Sequence, residues 1–328
     1  LCLLASSSCA ARPAIAQRWM ENLDRGVIAV NDGDNGVFVS WRLLGGEPPD
    51  LGFDVYRQSG NGAAAKLNSR PLVGPTHFRD RDADLSIPSR YIVTPLGDSG
   101  ARDGSFALPA HPPVRQYLSI PLRTPPGYHA NDASVGDLNG DGRYEVVVHM
   151  VGEGRDNSQS GLTSEPILHA YRLDGTFLWS INLGKNVREG AHYTPFVIYD
   201  LDGDAKAEIV CRTADGTIDG SGVVIGDANA DHRNLPAESR ERRRSRGGQR
   251  PGYILRGPEY LTVFDGQTGT ALATVDYVPQ RHPETDSPTA EQMKAVWGDD
   301  YGNRIDRFLA CVAYLDGESP SVVLTRGY

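Results

Sequence analysis

Nine consecutive residues, Asp137-Leu138-Asn139-Gly140-Asp141-Gly142-Arg143-Tyr144-Glu145, carry the densest chemistry in the chain. Side-chain oxygens fall at positions 1, 3, 5 and 9 of this stretch, with glycine at 4 and 6. In a tight turn that alternation puts carboxylate and amide oxygens on the inside, and the Arg143 carbonyl at position 7 can point the same way. A hard cation that takes about six to eight oxygens, Ca²⁺ above all, suits such a set. The stretch is not an EF-hand. It has no glutamate at position 12, and Val146-Val147-Val148 leads it into a buried strand rather than a helix.

The phrase returns from position 137 to position 200, 63 residues on, as Asp200-Leu201-Asp202-Gly203-Asp204-Ala205-Lys206-Ala207-Glu208, followed by Ile209-Val210-Cys211. Here Asp200, Asp202, Asp204 and Glu208 keep every acidic position. A worn third copy, Tyr314-Leu315-Asp316-Gly317-Glu318-Ser319-Pro320, keeps the turn and the following strand but few ligands. Each turn must be held by strands on both sides. After the first come Ile167–Leu173 and Phe177–Ile181, joined at Asp174-Gly175-Thr176, an Asp-Gly hairpin. After the second come Leu261–Asp265 and Ala271–Val275. An acidic turn, an inner strand, a variable connection and an outer hairpin make one propeller blade. The chain reaches Tyr328 as a third such unit begins, so the expectation is a ring left incomplete at the C-terminal side.

Residues 19 to about 115 alternate differently. Val37-Phe38-Val39-Ser40-Trp41-Arg42, Phe53-Asp54-Val55-Tyr56-Arg57 and Tyr91-Ile92-Val93-Thr94-Pro95 read as strands between Gly, Pro and Asp turns, with Trp41 facing inward. The pattern resembles a fibronectin type III module and is read as a spacer without chemistry. Six prolines between Pro109 and Pro126 mark the link to the next domain.

Bulk properties set the limits. A chain of 328 residues has room for two domains or more, and 37 glycines with 22 prolines signal many turns. A net charge of −9 argues against a nucleic-acid partner. No apolar run reaches the roughly 18 residues of a membrane helix. Residues 1–16 read as the remnant of a secretory signal, with Ala14-Ile15-Ala16 as the cleavage site. Plain export to the extracellular space or periplasm is favoured over lipidation at Cys9, because Ser6-Ser7-Ser8 is a poor acceptor context. Cys2 and Cys9 leave with the leader. Cys211 and Cys311 are expected as two buried thiols rather than a disulfide. The run Arg240-Glu241-Arg242-Arg243-Arg244-Ser245-Arg246 reads as a solvated loop, since no aromatics interleave it.

Five further segments, Tyr128–Gly136, Leu183–Tyr193, Arg212–Thr217, Gly257–Thr262 and Trp297–Arg304, together resemble the rhamnogalacturonan lyases of the eleventh polysaccharide lyase family. The match covers nearly all of the chain after the leader. It is far more specific than the acidic turns, which recur in adhesion and cell-wall proteins of many kinds. The resemblance implies an all-β protein: an N-terminal fibronectin type III-like β-sandwich at 19–115, then at 116–328 the first blades of a calcium-binding propeller, eight-bladed in the family. It implies cleavage of the rhamnogalacturonan I backbone of pectin by β-elimination at galacturonate, by a protein monomeric when complete. By position, Asn131 would touch sugar, with His129 and Asp215 as further substrate-binding candidates. Asp132 would join Asp137, Asn139, Asp141, Glu145 and the Arg143 carbonyl at the first ion. Three departures stand out. Ala205 replaces a usual glycine and strains the second turn, His149-Met150-Val151 stands where some members carry an acid facing the sugar, and the Arg-rich insertion is long.

Elimination removes the C5 proton of a uronate, so a cation must neutralise the carboxylate and a base must take the proton. The base is one of His129, His192, Lys185, Arg188 or Arg212, or lies beyond Tyr328; His149 reads as packed or at the rim. Two rivals remain. A calcium-braced propeller that binds glycan or protein without catalysis would not need the segments around Asn131, His192 and Asp215. A hydrolase would need a carboxylate pair flanking the bond, and none is evident outside the turns.

Overall fold

The computed structural model describes residues 19, 21–33, 36–97, 103–235 and 250–328. The leader-like residues 1–16, with Cys2 and Cys9, and the run Arg240–Arg246 lie outside the described residues.

The N-terminal unit is two antiparallel sheets on one core. Strands β1 (Ile28–Gly33), β2 (Gly36–Ser40) and β6 (His77–Asp80) form one, in the order β1-β2-β6. The other runs β4-β3-β7-β8, from β3 (Gly52–Ser59), β4 (Ala64–Lys66), β7 (Ser89–Pro95) and β8 (Gly104–Leu108), with β5 (Leu72–Val73) on β3. The period-2 alternation works as expected: Ala29, Val37 and Val39 from one sheet meet Phe53, Val55, Tyr91 and Val93 from the other. Trp41, just past β2, turns into this core and meets Phe53 edge-on with ring centroids 5.5 Å apart. Each fully buried side chain of this size stabilises by about 1.5–3 kcal/mol, so Val55→Asp would break the unit.

Between 109 and 126 the described chain forms no strand, only a parallel bridge from Val114 to Asn31. Two four-stranded meanders come next. The first has β9 (His129–Gly136), β10 (Glu145–Val151), β11 (Ile167–Arg172) and β12 (Phe177–Asn182) in sequence order. Short strands β15 (Thr217–Ile218) and β16 (Val224–Ile225) extend it beyond β12. The second has β13 (Phe196–Tyr199), β14 (Glu208–Ala214), β17 (Glu259–Phe264) and β18 (Ala271–Asp276). A hairpin of β19 (Phe308–Ala313) and β20 (Ser321–Arg326) comes last. The two meanders share a core of Leu138, Val147, Leu168, Trp179, Ile181, Ile198, Ile209 and Phe264. Gly136 permits their close approach: a Cβ there would lie 2.4 Å from Ile198 Cγ2.

One sequence expectation needs correction. Cys211 is buried in the shared core, but Cys311 is exposed. β19 pairs only with β20, and among the described residues no sheet covers the face that bears Cys311 and the 70% exposed Leu309. The architecture is all-β, with one short helix, α1 (Ala290–Trp297), between β18 and β19. Thr289 caps its N-terminus in a reciprocal box with Gln292, and Gly298 at φ 76° ends it.

The topology separates two ends of the sheets. Turn 137–144 joins β9 to β10, and turn 200–207 joins β13 to β14. The Ala207 amide donates to the Asp137 carbonyl at 2.8 Å, so the two turns lie side by side. The opposite end therefore gathers the start of β9, the ends of β10 and β14, and the start of β17.

Candidate functional site

In the first acidic turn Asp137 Oδ1 accepts the Gly140 amide (2.8 Å) and Oδ2 the Gly142 amide (2.7 Å). Glu145 Oε2 accepts the Leu138 amide at 2.9 Å, and Oε1 accepts Asn139 Nδ2 at 2.9 Å. Asp141 Oδ1 receives the Arg143 amide. The second turn repeats the wiring: Gly203 and Ala205 amides to Asp200, Asp204 amide to Asp202, Lys206 amide to Asp204, Leu201 amide to Glu208. Ligand oxygens of Asp200, Asp202 and Glu208 lie within 4.8 Å of one another, a possible acidic metal-binding cluster. Burial pushes Glu145 up to about 7, opposed by the Leu138 amide and aided by Asp141 and Asp137. Burial likewise pushes Glu208 to about 7, opposed by the Leu201 amide and aided by Asp202, Asp200 and Asp204. Such crowding of carboxylates is what a divalent cation relieves. Ala205 sits at φ 71°, in the left-handed region that Gly142 occupies at φ 87° in the first turn.

Asp132 does not belong with this set. It lies on β9, five residues before Asp137, and at about 3.3 Å per residue the strand holds the two on the order of 15 Å apart. For the same reason Asn131 stands away from the first turn. Both are exposed on β9, as is His129 at its start.

The opposite end holds the remaining candidates. Arg188 is fully buried: it donates to the Tyr193 hydroxyl and to the Gln159 carbonyl (2.5 Å), and lies 4.3 Å from the Tyr253 ring centre. Arg212 is buried too, donating to Glu259 Oε1 (3.1 Å) and the Tyr193 carbonyl (3.2 Å). Both guanidiniums are thus held in buried contacts rather than exposed at the surface. His192 is half-buried, its Nε2 3.3 Å from Arg307 Nη1. His149 is packed, as expected, with Nε2 2.9 Å from Glu189 Oε2.

Asp215 is not open to sugar. Its side chain is buried, Oδ2 meets His232 Nε2 at 2.8 Å, and Oδ1 accepts the Asp227 amide (2.9 Å) and the Tyr260 hydroxyl (3.3 Å). Asn186 ties this pair to the loop of Lys185, donating to the Asp215 and Ala230 carbonyls at 2.9 Å each and accepting the His232 amide at 2.7 Å. Lys185 is half-buried and near enough to Asp231 to help hold that carboxyl below its usual range, after Arg233. Sequence reasoning missed His232, Asn186 and Tyr260 as site residues. Asn186 and Tyr260 do lie in segments that carry the family resemblance, but His232 stands in none of them.

Beneath this end, Glu259 is ringed by three buried guanidiniums: Arg212 at 3.1 Å, Arg281 at 3.0 Å and Arg326. Burial opposes ionisation of Glu259, but Arg281, Arg326 and Arg212 together bring it down to about 2. Burial and the Glu259 charge push the neighbouring Asp306 up to about 6.

An all-β chain with paired acidic turns is thus joined to an end rich in buried ion pairs, and comparison with known proteins assigns its class. The family model for the C-terminal domain of rhamnogalacturonan lyase family 11 matches residues 117–328, and that for the β-sheet domain of rhamnogalacturonan I lyases matches 18–108. The chain belongs to rhamnogalacturonan lyase family 11. Rhamnogalacturonan endolyase YesW of Bacillus subtilis (strain 168) is 45% identical over 339 residues, covering 100% of this chain and 49% of that protein. Rhamnogalacturonan exolyase YesX of the same organism is 45% identical over 323 residues, covering 95% and 47%. A solved rhamnogalacturonan lyase of Bacillus licheniformis is 48% identical, with TM-score 0.76 over 95% of this chain and 50% of that one. The chain spans about half the length of the curated relatives it matches.

Proposed function

We propose that the whole protein cleaves the rhamnogalacturonan I backbone of pectin by β-elimination at galacturonate. The observation that carries this is 45% identity, along essentially the whole chain, to two proteins named as rhamnogalacturonan lyases. The non-catalytic reading is not favoured, since both of those relatives are named for catalysis. One is named an endolyase and the other an exolyase, and the chain is equally similar to both. The test is to incubate the whole protein with rhamnogalacturonan I and follow the ultraviolet absorbance of unsaturated uronate. A flat trace would remove the reading.

The meanders and hairpin are proposed as successive blades of a β-propeller, and the N-terminal two-sheet unit as a fibronectin type III-like sandwich. Family-model limits of 18–108 and 117–328 support domains at 19–115 and 116–328. The all-oxygen donor sets fit a hard cation, and we assign them to Ca²⁺. Asp137, Asn139, Asp141, Glu145 and the Arg143 carbonyl would hold one ion; Asp200, Asp202, Asp204, Glu208 and the Lys206 carbonyl would hold the other. Bound there, calcium supplies the charge that buried carboxylates lack, and so braces the sheets. Asn131, exposed on β9, and His129 are proposed to meet sugar. The leader-like composition of residues 1–16 supports export, and among the described residues no helix is long and apolar enough to cross a membrane. A monomer is expected.

A further inference from the structure

The Asp215–His232 pair lies at the end of the sheets opposite the acidic turns, and we propose that His232 takes the C5 proton in the elimination. This rests on the lyase reading above and names its base.

Among the described residues His232 alone combines a carboxylate within hydrogen-bond distance of its ring with solvent access, its side chain being 21% exposed. The other histidines fail one requirement or both. His149 has Glu189 but is closed from solvent, at 4% side-chain exposure. His169 and His282 are buried. His77 stacks on Phe38 in the N-terminal unit, and His111 lies in the link. His192 has the Arg307 guanidinium, not a carboxylate, at 3.3 Å from its ring nitrogen. His129 is exposed and has no carboxylate beside it among the described residues.

The geometry orients the His232 ring for proton transfer. Despite burial, which pushes the Asp215 carboxyl up, hydrogen bonds from His232 and the Asp227 amide hold it below the usual carboxylate range. Asp215 is therefore ionised at neutral pH and can only accept, so Nε2 of His232 donates to it, and in the neutral ring the lone pair is on Nδ1. The His232 amide is fixed by Asn186, and Gly257 lies flat against the ring, where a Cβ would come 2.4 Å from Cγ. Lys185, next to Asn186 in the chain, is a cation whose charge acts on Asp231, one residue before His232. A uronate requires such a cation to withdraw charge from its carboxylate as the C5 proton leaves.

His232 Nδ1 forms the new N–H bond as C5–H breaks, and that electron pair becomes the C4=C5 double bond. The C4–O bond breaks, its pair leaves with oxygen, and the oxygen takes a proton from water. His232 returns its proton to solvent. Asp215 does not touch the reacting atoms and acts as a positioning residue.

The experiment compares the unsubstituted whole protein with His232→Gln, His232→Gly and Asp215→Asn on rhamnogalacturonan I, following unsaturated uronate, KM and the melting curve. The proposal predicts that His232→Gln lowers kcat by about 10²-fold or more with KM and melting unchanged. Added imidazole should restore part of the rate to His232→Gly. Asp215→Asn should lower kcat at constant KM without such rescue. Near-normal kcat in His232→Gln overturns the inference and leaves the lyase reading standing. So does a loss in both His232 variants that accompanies a lowered melting temperature and resists imidazole. No unsaturated product from the unsubstituted protein overturns both.

Discussion

Ala205 holds at φ 71° a conformation that its counterpart Gly142 adopts without a side chain to strain it. A left-handed L-residue costs roughly 1–2 kcal/mol, partly offset by the extra unfolded freedom of glycine. Ala205→Gly should therefore stabilise by about 0.5–1 kcal/mol, read as a higher melting temperature. The converse, Gly142→Ala, should cost more than that gain, because its Cβ would also lie 3.0 Å from the Asp24 amide nitrogen. Equal melting curves for both variants and the parent would show that neither turn is strained. The glutamates make a second residue-scale prediction. Glu145 and Glu208 sit at about 7 against an ordinary 4.5, so without metal the fold favours their protonated forms. That contribution is full below the ordinary value and is lost as pH rises through about 7. Calcium binds the ionised forms, so the gap in melting temperature between calcium-loaded and chelated protein should widen from about pH 5 to about pH 8. A gap that stays constant or narrows would contradict the assignment.

At the scale of elements, the ion cluster around Glu259 joins β14, β17, β20 and the segment after β18. Glu259→Gln leaves Arg212, Arg281 and Arg326 without their shared carboxylate. Breaking such a buried pair costs about 3–5 kcal/mol, which urea unfolding would measure. A loss below about 1 kcal/mol would mean that solvent reaches the cluster. The strands themselves were legible, because alternation and acidic turns are local signals. Hairpins β11–β12 and β17–β18 fall within a residue or two of where Asp-Gly and Gly-rich turns placed them. Helix α1 carries an equally local signal in Thr289 and Gln292, yet its eight residues are too few and too weakly amphipathic to set a clear period. What could not be read was which distant segments meet. His232 finds Asp215 across 17 residues and two short strands, and Glu259 finds Arg326 across 67. Carry-over by position from the family resemblance grouped Asp132 with the first acidic turn, from which an extended strand separates it.

Across the whole molecule, the length of the strands sets the acidic turns apart from the end that holds Asp215 and His232. Asp137→Ala with Asp141→Ala should lower the melting temperature to that of chelated protein. Asn131→Ala should instead leave calcium-dependent melting unchanged and cut turnover by about 10²-fold, the usual effect of losing a donor near developing charge. If Asn131→Ala abolished the calcium effect on melting, the two ends would not be independent. The central claim is the bond-breaking chemistry. The mass of the new non-reducing end, released from rhamnogalacturonan I by the whole protein, tests it most directly. Elimination predicts a terminal uronate lighter by one water than the hydrolytic fragment, formed once for every new reducing end. Fragments of full hydrolytic mass, or none at all, would contradict it.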